Sequence, residues 1–412
     1  MTRPVSVVIV SHGREAALKR CLTGVRQLLY PAFEVVVVAD RHSLAMLQEL
    51  PLALGIKTAP CDAENISLAR NIGLGLAAGE VVAFVDDDAV PEPTWLTHLA
   101  AVFDDEEVAA AGGYVRGRNG ISWQWRGAWV DGCGERHELP LDGDRPVVLH
   151  PKPERAIKTE GTNMAFRRDV IAEIGGFDPA FRFFLDETDV NLRLARAGHA
   201  SALVPLAVVH HGFAESARRR ADRVPRDLFE IGASLAAFLL RHCPAAERAP
   251  RQARFAEEQR GRLLRHMVAG RLEPRDVRRL LARLHAGFTG GGTRLPAPLP
   301  ALPHAAAPFA PLPKRPALRP KLSCGRWWHR ARLRRQAAHD AAAGHVSTAM
   351  IFSLTPAYAK VHFSPAGFWE HSGGQFGKSE RSEPFFTLRR LRRKCDAEIS
   401  RIRRERGLTG ES

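Results

Sequence analysis

Over the first ninety positions, dense apolar runs alternate with segments in which apolar residues recur at helical spacing. Val5 to Val10, Phe33 to Ala39 and Val81 to Val85 are mainly β-branched and nearly continuous, the pattern of parallel strands buried on both faces. Between the first two, Leu18, Cys21, Leu22, Val25, Leu28 and Leu29 predict an amphipathic helix over Glu15 to Leu29, which Tyr30-Pro31 ends. Residues 43–50 read as helix and Ile56 to Ala59 as a short strand. Leu68, Ile72 and Leu76 mark a further helix over Ser67 to Ala78, with Asn71 and Gly73 fitting it closely beneath the next strand. Strand and helix alternating in this way predict an α/β fold with a parallel sheet built from βαβ units. No GxGxxG follows the first strand, which disfavours dinucleotide binding of the Rossmann kind.

The strand at Val81 to Val85 runs straight into Asp86, Asp87 and Asp88, and Phe33 to Ala39 ends in Asp40. Unpaired charge is costly in a core, so these acids belong at the C-terminal strand ends, where open α/β sheets place their ligands. Three adjacent carboxylates repel one another and call for a cation; Mg²⁺ takes oxygen ligands and commonly arrives with substrate phosphates. A solvated acidic turn or a helix N-cap accounts for the same residues without a ligand.

Composition adds three constraints. The chain has 412 residues, 45% of them hydrophobic, enough for two or three domains. Its longest apolar candidate, Ile231 to Leu240, falls short of the roughly 18 residues of a membrane span. The N-terminus enters a strand directly, which argues against a cleaved leader. Cys21, Cys61, Cys133, Cys243, Cys324 and Cys395 lie far apart with no zinc spacing, so they are expected as ordinary small apolar residues in a reducing cytoplasm. The net charge of +15 divides into −7 over residues 1–212 and +22 over the rest. A basic back half is suited to an anionic membrane surface or an acidic polymer; nucleic acid fits the charge but has no recognition motif behind it.

Five pieces together resemble glycosyltransferase family 2: VSVVIVSHGR (5–14), EVVVVAD (34–40), SLARNIGLGLAAGEVVAFVDDDAVP (67–91), GTNMAFRRDVIAEIGGFD (161–178) and DETDVNLRLARAGHASALVPLAVVHH (186–211). They cover roughly residues 4–213. The resemblance implies a GT-A-like nucleotide-diphospho-sugar transferase domain and an inverting transfer from a nucleoside-diphosphate-sugar to a hydroxyl of a glycan or lipid-linked glycan. It implies that Asp86 and Asp88 flank the donor, with Asp88 on Mg²⁺ or Mn²⁺, Asp87 beside them, and His211 near the metal or diphosphate. Asp40 and Arg70 are expected on the nucleotide, although Ala39-Asp40-Arg41 departs from the family's commoner acidic pair. Asp186-Glu187-Thr188-Asp189 stands at the family's acidic element. In register Glu187 takes the place of the base, Asp186 is the alternative, and Asp189 caps or braces the helix. An aspartate is commoner at the base position. Trp123, Trp125 and Trp129 fall in a long loop that suits an acceptor or, equally, a core.

The expected organisation is a transferase domain at 1–213, a basic helical segment at 214–294, a Pro/Ala-rich linker at 295–320 and a small basic α+β module at 321–412. Helices are predicted over Asp227 to Arg241, Asp276 to His285, Gly325 to Gly344 and Phe386 to Arg406, and strands over His345 to Leu354 and Ala357 to Phe363. The basic helices are expected to touch the inner face of an anionic membrane. The alternative to an enzyme is a transferase-like glycan- or nucleotide-binding protein without turnover. Nucleotidyl transfer would need a glycine-rich loop with a lysine after the first strand, which Ser11-His12-Gly13-Arg14 lacks.

Overall fold

In the computed structural model, which describes residues 2–141, 143–152, 154–212, 215–294, 296–313 and 319–408, the apolar runs become the interior of one sheet. The chain begins with β1 (Val5–Ser11), α1 (Glu15–Val25), β2 (Phe33–Ala39), α2 (Arg41–Gln48), β3 (Ile56–Pro60), α3 (Ile66–Leu76) and β4 (Val81–Val85). It continues through β5 (Ala89–Pro91), α4 (Trp95–Ala101) and β6 (Val108–Arg116). Short strands follow: β7 (Trp123–Trp125), β8 (Ala128–Asp131), β9 (Arg136–Glu138), β10 (Val147–Leu149) and β11 (Arg155–Lys158). Next come β12 (Asn163–Arg167), α5 (Arg168–Glu173), α6 (Asp186–Arg196) and β13 (Ala200–His211).

Among the described residues, ten strands share a sheet ordered β10-β13-β6-β12-β4-β1-β2-β3, with β5 on β13 and β7 on β6. The run β4-β1-β2-β3 is parallel, as the βαβ reading requires, and β13 also pairs parallel with β6. Antiparallel β12, inserted between β4 and β6, makes the sheet mixed. Alternate side chains divide between two apolar layers. Val5, Val7, Ile9, Val35, Val37, Val81 and Ala83 pack with α1 and α4 on one face. Val8, Val36, Val38, Val82, Phe84 and Phe166 pack with α3, α5 and α6 on the other. Gly73 fits α3 against β1 rather than the next strand: a Cβ there would stand 2.5 Å from Val8 Cγ1. Asn71 ties the same helix to the backbone of Phe177.

Beyond the sheet, α7 (Phe229–His242), α8 (Ala245–Val268) and α9 (Pro274–Gly291) share a core with α6 and β8. The predicted helices within Asp227–Arg241 and Asp276–His285 are there, and α9 runs on into the glycines at its end. Between them the expected basic helical segment holds the 24-residue α8, which was given no bounds from the sequence and carries Pro250 near its start. The Pro/Ala-rich stretch is bonded along the sheet and its helices: Leu302 and Ala306 amides donate to Ala172 and Gly75 carbonyls, Ala310 to Glu34 Oε2 and Leu312 to Phe33.

The terminal module holds a parallel set, β14 (Pro320–Arg326), β15 (Val346–Ser353) and β17 (Trp369–Gly374), with β16 (Lys360–Phe363) antiparallel to β17. Helix α10 (Arg330–Ala342) covers one face and α11 (Leu391–Ile402) the other. The predicted helix over Gly325 to Gly344 thus begins later, after a strand, and β17 was not anticipated. The module is not detached. Arg406 donates to Glu92 through Nε (2.8 Å) and Nη2 (3.0 Å), all in the interior, and Val361 N donates to Asn119 O. The expectation of six unpaired thiols is corrected: Cys133 pairs with Cys243 and Cys324 with Cys395 as disulfides, while Cys21 and Cys61 are free and buried. Separations of 110 and 71 residues hide these pairs from any spacing rule. No helix among the described residues is long and apolar enough to cross a membrane.

Candidate active site

β1 and β4 run side by side, so Ser11 at the end of the first strand and Arg14 just beyond it meet the acids that follow β4. Asp87 turns inward: it is fully buried, accepts from Ser11 Oγ (2.6 Å) and pairs with Arg14 Nη2 (2.7 Å). Burial pushes its pKa up to about 7 despite Arg14. Asp88 faces Arg14 Nη1 at 3.4 Å and His211 Nε2 at 3.0 Å. His211 arrives there because β5 pairs with the end of β13, placing His211 opposite Ala89. Asp86 retains 31% of its side-chain exposure and lies 3.7 Å from Arg70 Nη2.

Ligand atoms of Asp86, Asp88 and His211 lie within 4.8 Å of one another. Two carboxylates and an imidazole, mostly buried around a shared point, fit a hard or borderline divalent cation such as Mg²⁺ or Mn²⁺. The trio opens on a cleft of about 260 Å³ also lined by Ser11, His12, Arg14, Asn65, Arg218 and Arg219.

The second acidic element lies at the start of α6, where the N-terminal dipole favours carboxylates. Asp186 is buried in a tight ion pair with Arg70, which also donates to Gly161 O at 3.1 Å. Burial drives the Asp186 pKa up to about 7 against the pull of Arg70. Glu187 accepts from Lys158 Nζ at 2.8 Å, and although burial opposes it, this lysine holds Glu187 down at about 2. Adjacent carboxylates are thereby pushed apart in acidity, the arrangement that separates acid and base roles. Asp189 braces α6 against α7, accepting from Arg193 Nε and His242 Nε2, both at 2.8 Å.

Arg70 therefore joins the two acidic elements instead of projecting into the cleft. Asp40 stands outside the cleft lining: it caps α2 through Ser43 N (2.9 Å) and accepts from Gly13 N (2.8 Å) and Ser43 Oγ. Asp87 likewise faces the interior. Asp86, Asp88 and His211 are brought together. The tryptophans divide: Trp123 is exposed under Arg116 (4.1 Å), Trp125 is core, and Trp129 stacks on His137 at 3.8 Å. Sequence reasoning missed Arg14, Lys158 and Gln124, the last of which meets His211 Nδ1 at 3.1 Å. Arg14 alone had a local signal, a cation just beyond the first strand.

Residues 6–175 match the family described as Glycosyl transferase family 2. Over 185 residues the chain is 29% identical to a glucosyl-dolichyl phosphate glucuronosyltransferase of Haloferax volcanii, covering 42% of this chain and 56% of that protein. Over 257 residues it is 28% identical to a pre-mycofactocin glycosyltransferase of Mycobacterium tuberculosis, covering 58% and 48% respectively. A solved mannosyltransferase of Pyrobaculum calidifontis, in complex with GDP-Man and Mn²⁺, gives a TM-score of 0.43 at 17% identity over 71% of this chain and 87% of that one. The chain spans about half the length of the curated relatives it matches.

Proposed function

We propose that the segment matching glycosyl transferase family 2 passes a sugar, with inversion, from a nucleoside-diphosphate-sugar to a hydroxyl of a glycan or lipid-linked glycan. The observation that carries this reading is the convergence of Asp86, Asp88 and His211 on one point of a cleft at the C-terminal ends of β1 and β4. The acceptor oxygen attacks the anomeric carbon from the face opposite the diphosphate, its bond to carbon forming as the carbon–diphosphate bond breaks. A carboxylate takes the hydroxyl proton, and the nucleoside diphosphate leaves with the electron pair. Glu187, kept ionised by Lys158, is assigned that proton; Asp186 is the alternative. Arg70 holds Asp186 and Asp86 in a fixed relation, and Arg14 holds Asp87 and Asp88. A divalent cation held by Asp86, Asp88 and His211 would offset charge on the leaving diphosphate. The curated relative named for glucosyl-dolichyl phosphate supports the lipid-linked class of acceptor.

A binding protein without turnover is favoured by one observation: both candidate bases are engaged in ion pairs, Asp186 buried with Arg70 and Glu187 partly buried with Lys158. The test is a panel of nucleoside diphosphates and nucleotide sugars, each with Mn²⁺, Mg²⁺ or EDTA, read by thermal shift and by release of nucleoside diphosphate. Metal-dependent stabilisation with product release is expected. Stabilisation without release, even when glycan and lipid-linked glycan acceptors are added, supports the binding protein, and no response from folded protein removes both readings.

A further inference from the structure

The three parallel strands of the terminal module end in register: Arg326 lies beside Phe352, and Phe352 beside Gly373. Large apolar side chains follow each of them. Trp327 and Trp328 come after β14, Leu354 and Tyr358 after β15, and Phe385, Phe386 and Leu388 after β17, all about half exposed or more and Leu388 82% exposed. Those after β15 and β17 are connected. The Tyr358 and Phe385 rings lie 5.9 Å apart and Phe386 lies 5.6 Å from Phe376, while the Phe376 amide donates to Thr355 O beside Leu354. So many large apolar groups left half exposed or more at the ends of neighbouring strands mark an interaction surface. The rim is basic: residues 376–393 contain Lys378, Arg381, Arg389, Arg390, Arg392 and Arg393 against Glu380 and Glu383. Lys378 Nζ sits 5.1 Å from the Tyr358 ring centre. Aromatic side chains mixed with arginine suit the boundary between anionic headgroups and acyl chains.

The same loop lines a second cleft, which neighbours the candidate active site through Gln124 and His211. Glu380, Arg381 and Ser382 close a cleft of about 520 Å³ whose opposite wall is Trp123, Gln124 and Trp125. Gln124 touches His211, and Trp125 lies 4.9 Å from Lys158 Nζ, the partner of Glu187. This cleft therefore adjoins both acidic elements through single residues.

We propose that this edge of the terminal module docks on an anionic lipid bilayer, inserting Phe385, Phe386 and Leu388, so that the cleft beside Trp123 opens toward the membrane surface. The docking stands apart from the transfer chemistry; only the delivery of a lipid-linked acceptor to that cleft rests on the transferase reading.

The test is flotation of the full chain with vesicles of phosphatidylcholine containing phosphatidylglycerol and with vesicles of phosphatidylcholine alone. Wild-type protein is expected to float with the anionic vesicles and to lose binding as salt rises. F385S/F386S/L388S should weaken binding by about tenfold or more. R390Q, R392Q and R393Q should each weaken it about fivefold and lessen the salt dependence. W327S/W328S supplies a second apolar variant on the same edge. Equal thermal midpoints and an unchanged nucleotide response establish that each variant is folded. No binding by wild type, or equal binding by both apolar variants, overturns the proposal. So does a wild-type oligomer that becomes monomeric in F385S/F386S/L388S without any vesicle binding, which would assign the edge to a second copy.

Discussion

His211 Nε2 stands 3.0 Å from Asp88 Oδ1 while its opposite ring nitrogen donates to Gln124 Oε1 at 3.1 Å. Gln124 thereby sets the orientation in which His211 faces the acids, the role outer partners play around metal-binding imidazoles. Q124A is expected to weaken Mn²⁺ binding by about 10–100-fold with the fold intact, and D88A to abolish metal-dependent stabilisation and product formation. Titration calorimetry with Mn²⁺ and a nucleoside diphosphate measures both; unchanged affinity in Q124A would remove Gln124 from the orienting role.

Glu187 carries the assignment of the base. E187Q should lower kcat by about 10²–10⁴ with little change in donor KM. Removing the charge in K158M should raise the Glu187 pKa from about 2 and move the acid limb of the pH–rate profile upward. If D186N loses turnover and E187Q keeps it, the proton goes to Asp186.

Asp40 reports on acid stability. Its pKa falls to about 2 because, against partial burial, the Ser43 amide and hydroxyl and the Gly13 amide bond the ionised form. A carboxylate lowered on folding stabilises above its unfolded pKa near 4 and loses that contribution as pH drops through about 2. The stability difference between wild type and D40N should therefore be full at neutral pH and shrink between about pH 4 and 2. A difference that stays constant over this range in urea melts would separate Asp40 from the effect. D40A also loses the cap, at about 1 kcal/mol.

Glu92, just after β5, and Arg406, just after α11, form a buried pair. R406M leaves the buried Glu92 with only His210 Nε2, at 2.8 Å, among its side-chain partners and should cost about 3 kcal/mol, while E92Q/R406M should cost less than the single change. Chemical denaturation of the three proteins measures this; equal stability would show the module to be only loosely attached.

The two disulfides are expected in a non-reducing peptide map as links between Cys133 and Cys243 and between Cys324 and Cys395. Because they close long loops, reduction should destabilise by about 2–5 kcal/mol per bridge. A map showing six free thiols would return the cysteines to ordinary packing.

The order of strands and helices over residues 5–85 was legible because both periodicities are local: alternate residues fill opposite layers, and helix faces recur every three or four positions. The acidic groups at 86–88 and 186–189 were legible for the same reason, as charges with no place in an apolar run. Tertiary structure alone decided what each acid touches. Asp87 and Asp88 are neighbours in sequence, yet successive backbone directions send one into the core and the other toward His211. Arg70 meets Asp186 across 116 residues and Lys158 meets Glu187 across 29, so their effect on acidity has no local signature. Two further features depend on how distant strands pack: the pairing of Glu92 with Arg406 and the apolar edge assembled from three strand ends. Local sequence dictated which groups could ionise or bury, but the directions of packed chains decided which of them meet.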